Sequence, residues 1–219
     1  MLYLIKTITM KSLATLIIFL LSAVNVFGQQ KAITDTGVEV ILFDDNTWQY
    51  QNEEEDKPTE IPTNDKEFTK DEKATFLLKS SKLNVGFWID PKEWSFTKAK
   101  DNPDAEYELS RKNEDLLAMI LTEKIEIPLK TLKTIAVDNA KAFAPDATII
   151  KEEYRTVNGL KVLMLQINGS MQGIKFSYYG YYFTSSNGTV QFITYTAQNL
   201  LDEYVEDCEK LLNGLVEIQ

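Results

Sequence analysis

Between Tyr154 and Ala197 the chain carries the stretch that decides its fold. From Thr156 to Ala197 it reads TVNGLKVLMLQINGSMQGIKFSYYGYYFTSSNGTVQFITYTA. Asn158-Gly159 opens a first strand, Asn168-Gly169 and Gly173 mark a longer turn, and Asn187-Gly188 closes a tight one. Asn-Gly is a strong hairpin signal because both residues tolerate the positive φ of a type I′ turn. The runs between these turns are rich in Val, Ile, Phe, Tyr and Thr, which fit a pleated, half-buried surface. The stretch predicts three long antiparallel strands, a meander on which the rest of the folded chain packs.

The sequence upstream supplies further strands and a helix. Leu83, Val85, Phe87 and Ile89 alternate with Asn84, Gly86, Trp88 and Asp90, and Pro91 ends that strand. Trp94–Lys98 and the region of Tyr107 and Leu109 follow. Leu116–Leu121 is continuously apolar, as in a strand covered on both faces. Pro128 suits the first turn of a helix, and Leu129, Leu132, Ile135 or Ala136, Ala140 and Phe143 recur at helical spacing until Pro145. Downstream of the meander, Asn199 is placed to cap a second amphipathic helix. Leu201, Tyr204, Val205, Cys208, Leu211, Leu212 and Leu215 form its inward stripe, and Gly214 its C-cap. The fold class expected is α+β: an antiparallel β-sheet flanked by two amphipathic helices, with a small N-terminal β-hairpin.

The 219 residues divide by composition into four segments. Met10-Lys11 precedes an apolar run from Leu13 to Phe27, and Val26 and Gly28 are the small residues a signal peptidase needs. Residues 1–28 therefore read as a secretory signal peptide. The rival reading, a transmembrane anchor, meets a run shorter than the ~20 residues that span a bilayer. Residues 29–50 form the hairpin module, with strands around Gly37, an Asp44-Asp45-Asn46 turn and a return through Thr47–Tyr50. Residues 51–73, with two prolines, many charges and few apolar side chains, read as an acidic flexible linker. Residues 74–219 hold the main domain. The address predicted is exported, periplasmic or secreted, with no stable membrane insertion after cleavage.

Composition excludes several function classes. The formal charge is −10, and removing Lys6 and Lys11 with the leader brings it to about −12. With no basic stripe, nucleic-acid binding is not expected. There is no histidine, so imidazole bases, imidazole metal ligands and Ser-His or Cys-His pairs are absent. Cys208 is the single cysteine and falls on the inward face of a helix, where it reads as a buried, inert thiol. An acidic metal site at Glu53–Asp56 lacks the turn glycine and spacing of a calcium loop. Glu152-Glu153 could serve a glycosidase only with another carboxylate facing them. The chain is expected not to be an enzyme and to use no metal or cofactor.

The order of elements, together with Gly86-Phe87-Trp88-Ile89-Asp90-Pro91-Lys92-Glu93-Trp94 and the Asn158-Gly159-Leu-x-Val step, resembles the PsbP-like family over about Lys82–Ile218. That family includes the extrinsic P subunit of photosystem II, a Ran-binding nuclear-import factor and bacterial envelope proteins of uncertain role. The resemblance implies an accessory or binding protein without catalysis. Bacterial members are often lipoproteins, and the absence of a cysteine after the cleavage site departs from that pattern. Lys31–Tyr50 in turn resembles a hairpin module that follows the signal peptide in envelope proteins of some Gram-negative bacteria.

One cluster stands out. Tyr178, Tyr179, Tyr181 and Tyr182 surround Gly180 on the central strand, and Tyr195 lies on the next. Alternation puts Tyr179 and Tyr181 on one face and Tyr178 and Tyr182 on the other. Lys175 and Ser177 are more polar than Ile174 and Phe176, so the face of Tyr179 and Tyr181 is expected to be open, an aromatic platform for a partner. Tyr179, Tyr181, Tyr195 and Trp88 are the candidate partner-binding residues, and the partner expected is another envelope protein. Core packing is the plainer reading of the same tyrosines. The alternative function is a carrier of a small apolar ligand between sheet and helices, which calls for a pocket of about 300 Å³ or more.

Overall fold

A computed structural model describes residues 30–34, 39–50, 60–100 and 102–218. The signal segment, Glu53–Asp56 and the first part of the expected linker lie outside them. Among the described residues no helix is long and apolar enough to cross a membrane.

The chain forms two compact units, residues 1–58 and 59–219. In the first, β1 (Gln30–Ile33), β2 (Glu39–Leu42) and β3 (Trp48–Tyr50) make a three-stranded antiparallel sheet. The turn expected at Asp44–Asn46 is present. Asn46 takes a positive φ, and the Asp45 carboxylate accepts from the Thr47 backbone N–H at 2.9 Å.

The second unit runs β4 (Thr63–Phe68), β5 (Phe76–Lys79), β6 (Val85–Ile89), β7 (Trp94–Lys98), β8 (Ala105–Arg111), β9 (Leu117–Glu123), α1 (Leu129–Phe143), β10 (Thr148–Val157), β11 (Leu160–Met171), β12 (Ile174–Ser185), β13 (Gly188–Ala197), α2 (Leu201–Leu212) and β14 (Leu215–Glu217). Eight strands form one sheet in the order β4-β10-β11-β12-β13-β9-β8-β7, and β14-β6-β5 form a second, smaller one. The three meander strands pair as expected, β11 with β12 and β12 with β13, with Tyr178 opposite Tyr195 and Tyr182 opposite Gln191. Asn168 and Gly169, however, remain paired within β11, and the turn falls at Gln172-Gly173, where both residues take positive φ.

Three expectations are corrected here. The large sheet is mixed, because β4 runs parallel to β10 while every other neighbour in it is antiparallel. Residues 60–73 are not part of a flexible linker. Thr63–Phe68 is an edge strand, Phe68 is buried, and Tyr154 N–H donates to Pro62 C=O at 2.8 Å. The strand with Phe87 lies in the small sheet, paired to β5 and β14, and not in the large one.

Helices cover the two faces of the large sheet unequally. On one face α2 and the small sheet bury Phe87, Phe192, Met164, Tyr179, Tyr181 and Cys208 in one continuous core. Burial pushes the Cys208 thiol up to about 11, so it is the inert group expected. On the other face α1 packs on β11 and β12, with Leu132, Ala136 and Ala140 against Leu163, Leu165 and Ile193. Small alanines on α1 bring it close to the sheet, but its footprint ends there. Phe143, expected on the buried stripe, is 70% exposed. The α1-side faces of β9 and β8 beyond it are only partly covered: Leu117 is exposed, and Met119 and Leu121 are half-buried. Leu116–Leu121 is thus fully covered on one face only.

Just before α2, Asn199 sits in a short 3₁₀ turn, Gln198–Leu200, and does not cap the helix by its side chain. Gly214 is required for close approach and not for a left-handed cap: a Cβ there would collide with the Trp88 carbonyl, and Gly214 C=O accepts from Trp88 N–H at 2.8 Å. Asn158, at φ 49° in the β10–β11 turn, donates its side-chain amide to the carbonyls of Asn213 and Leu215 at 2.7 and 2.9 Å. The Asn-Gly turn therefore also fastens the C-terminal segment.

Candidate functional site

The tyrosines of β12 divide between two environments. Tyr179 and Tyr181 point toward α2 and are buried, so they form no open platform. Tyr179 donates to Glu209 Oε1 at 2.7 Å, and Tyr181 donates to Asn213 Oδ1 at 3.0 Å while accepting from Arg155 at 2.9 Å. Arg155, itself buried, donates to Glu153 at 2.6 Å and Glu209 at 2.8 Å and lies 4.4 Å from the centre of the Phe68 ring. Alternation along β10 brings Arg155 and Glu153 to this face and sends Glu152 to the other, where it pairs with Lys133 of α1 at 2.7 Å. Glu152 and Glu153 therefore lie on opposite faces and do not share a site. Burial raises the Tyr179 phenol well above its ordinary value and pushes Tyr181 up to about 12, so both stay protonated. Burial alone would raise Glu153, but hydrogen bonds from Asn64 and Arg155 and the Arg155 charge hold it below the ordinary carboxylate value. This network holds β10, β12 and α2 together.

Trp88 is half-buried with Lys70 5.2 Å from its ring centre. Tyr195 is also half-buried, but it belongs to the opposite face of the large sheet, edge-on to Tyr178 at 6.1 Å. Tyr178 stacks in turn with Phe176 at 4.7 Å. The aromatic row therefore exists on the face of α1, the reverse of the expected one. The four candidate residues do not converge.

What does converge lies beside α1. A groove of about 640 Å³ opens between the helix and the sheet. Its floor is built by cross-strand neighbours of one face: Tyr182 opposite Gln191, Gln191 opposite Leu121, and Ile193 opposite Met119, with Tyr178 beside them. Gly180, between Tyr178 and Tyr182, leaves no side chain on this face, and Ile193 fills the space against it. Ala136, Ala140 and Phe143 form the helix wall, and Asn102, Asp104 and Asn139 the rim. A shallower depression of about 280 Å³ continues along the same sheet face, bounded by Tyr195, Leu117, Glu108 and Ser110.

Among the described residues no group of three Asp, Glu or Cys side chains is arranged to hold a metal ion. The buried carboxylate of Glu106, the extra residue of a bulge in β8, is occupied structurally. It accepts from Ser80, Ser81 and Thr122, and these bonds outweigh the effect of burial and keep it below the ordinary carboxylate value. Sequence reasoning missed Arg155, Glu106 and Gln191. The signal for Gln191 was an amide at an otherwise apolar alternation position, between Val190 and Phe192 on a central strand.

No protein-family model matches the sequence. No curated protein matches it either. Solved structures do. The solution structure of cyanobacterial PsbP (CyanoP) from Synechocystis sp. PCC 6803 superposes with a TM-score of 0.50 at 14% identity, over 65% of this chain and 91% of that one. A protein of unknown function from Pseudomonas aeruginosa, PA94, described as a putative regulator, matches at 0.41 and 11% identity, over 64% and 95%. LpqN, involved in cell envelope biogenesis of Mycobacterium tuberculosis, matches at 0.40 and 9% identity, over 60% and 82%. Resemblance at this level concerns the fold alone: the chain has a PsbP-like α+β fold.

Proposed function

We propose that this chain is an exported, non-catalytic binding protein of the cell envelope that carries a small apolar molecule in the groove between α1 and the large sheet. The observation that carries this reading is the groove itself. Its volume of about 640 Å³ is in the range that takes up a small ligand. Its walls come from Met119, Leu121, Ile193 and the alanine face of α1, so burying hydrocarbon there is favourable by roughly 25 cal/mol per Å². Export rests on the signal-like segment ending at Gly28. The absence of catalysis rests on the lack of histidine and on the pairing of the buried acids.

Protein isolated from its native envelope and extracted with organic solvent should release an apolar molecule in near-stoichiometric amount by mass spectrometry. Ala142→Trp, which places a large ring at the groove wall, should release none. An empty wild-type protein that also takes up no apolar probe would end this reading.

A second reading, docking of an envelope protein on the sheet, is favoured by one observation. The depression bounded by Tyr195, Leu117 and Glu108 lies beyond the footprint of α1. Tyr195 is the one candidate contact residue that this reading retains.

A further inference from the structure

Among the described residues, the hydroxyls of buried tyrosines have partners, with one exception. Tyr107 donates to Lys79 C=O, Tyr179 to Glu209 and Tyr181 to Asn213. Tyr182 is only 2% exposed, yet among the described residues its hydroxyl meets no hydrogen-bond partner. Directly opposite it on β13, Gln191 is 7% exposed, and its carboxamide has none either. Both side chains line the groove. Neither polar end is sealed from the groove, so both are accessible to a molecule seated there. A ligand that covered them without bonding them would leave buried polar groups unpaired, at a cost of about 1–3 kcal/mol each.

We propose that Tyr182 and Gln191 are a paired hydrogen-bond site for the carbonyl oxygen of an uncharged acyl compound, an ester or amide, whose hydrocarbon part lies along Met119, Leu121 and Ile193. This rests on the groove being a ligand site, as argued above. A carbonyl oxygen has two lone pairs and accepts from the Tyr182 hydroxyl and the Gln191 amide N–H together. Water satisfies the pair while the groove is empty, and a seated ligand that displaces it must replace its hydrogen bonds, which a carbonyl oxygen does and a hydrocarbon or ether does less well. A carboxylate is disfavoured. Among the described residues that line the groove there is no Lys or Arg, Asp104 stands at the rim, and an anion buried without a counter-charge loses its hydration uncompensated.

The test uses the full mature chain and 1,6-diphenylhexatriene, a fluorescent hydrocarbon with no polar atoms. Methyl laurate and dodecyl methyl ether, matched except for the carbonyl, are compared as displacers, with laurate at pH 8 as the charged control. Wild-type protein should take up the fluorophore, and Ala142→Trp and Asn139→Trp, both folded by thermal melting, should not. The ester should displace about 10-fold better than the ether, and laurate should displace poorly. Tyr182→Phe and Gln191→Leu should each reduce the ester-over-ether preference by about 3- to 10-fold. No preference in the wild type, a preference that survives both substitutions, or laurate matching its methyl ester would overturn the carbonyl site while leaving the groove intact as a carrier. Failure of the wild type to take up the fluorophore, or uptake unaffected by either tryptophan, would overturn the carrier reading and this inference together.

Discussion

One strand presents two chemistries. On the α2 face of β12, Tyr179 and Tyr181 are buried and each hydroxyl is engaged by Glu209, Asn213 or Arg155. On the α1 face, Tyr182 is as deeply buried, but its hydroxyl looks into a groove. Residue type and burial do not separate Tyr182 from Tyr179 and Tyr181; hydrogen-bond satisfaction does. Where every polar group is paired the tyrosines serve stability, and where the pairing is incomplete a binding role becomes the better explanation.

Substitutions can break that contrast, and the largest effect belongs to the satisfied side. Arg155→Leu leaves Glu153 and Glu209 without their shared cation and removes the stack on Phe68. Urea denaturation should show a loss of about 3 kcal/mol, and a loss below about 1 kcal/mol would mean that the network is dispensable. Tyr181→Phe deletes the hydroxyl between Arg155 and Asn213 and should cost about 1–2 kcal/mol.

Acid is a gentler probe of the same side. Glu153 and Glu106 both have folded-state values below their ordinary 4.5. Below pH 4.5 the unfolded chain therefore binds more protons than the folded one. The stabilisation is fully present at neutral pH and is lost as the pH falls through the lowered folded values. Thermal melting from pH 7 to pH 3 should show this decline, and Glu106→Gln should flatten it; a melting temperature that is constant down to pH 3 would contradict the assignment.

The smallest effect belongs to the other face. Tyr182→Phe should change unfolding free energy by less than about 0.5 kcal/mol, because the hydroxyl it removes has no protein partner. A loss equal to that of Tyr181→Phe would erase the distinction between the two faces.

The sequence made the meander strands, most of both helix stripes and the burial of Cys208 legible, because apolar periodicity is a strong local signal. It overran the stripes at Phe143 and at Val205, which are exposed, and it placed a turn at Asn168-Gly169, which stay in β11. It misassigned the sheet's faces for a physical reason. Polarity was judged from the start of β12, where Ile174 is 67% exposed at a hairpin end and Ser177 is fully buried, bonded to Asn168 at 2.7 Å. Polarity at a strand's end reports the turn, whereas the middle of the strand reports the core. The β4 strand was missed because TNDKEF at a sheet edge is solvated on most positions and shows no alternation. The groove could not be read at all, since it depends on where α1 ends over the sheet, which no single residue encodes.

The parallel strand at the sheet's edge has a practical consequence for anyone expressing the main unit alone. A truncation beginning at residue 74, where composition first turns apolar, would strip β4 from β10. That would lay bare the edge of β10 from Tyr154 to Val157 and remove the aromatic ring under Arg155. Such a raw edge recruits strands from other molecules, so the shortened protein would tend to precipitate or exchange segments between copies. A start near residue 59 keeps that edge closed.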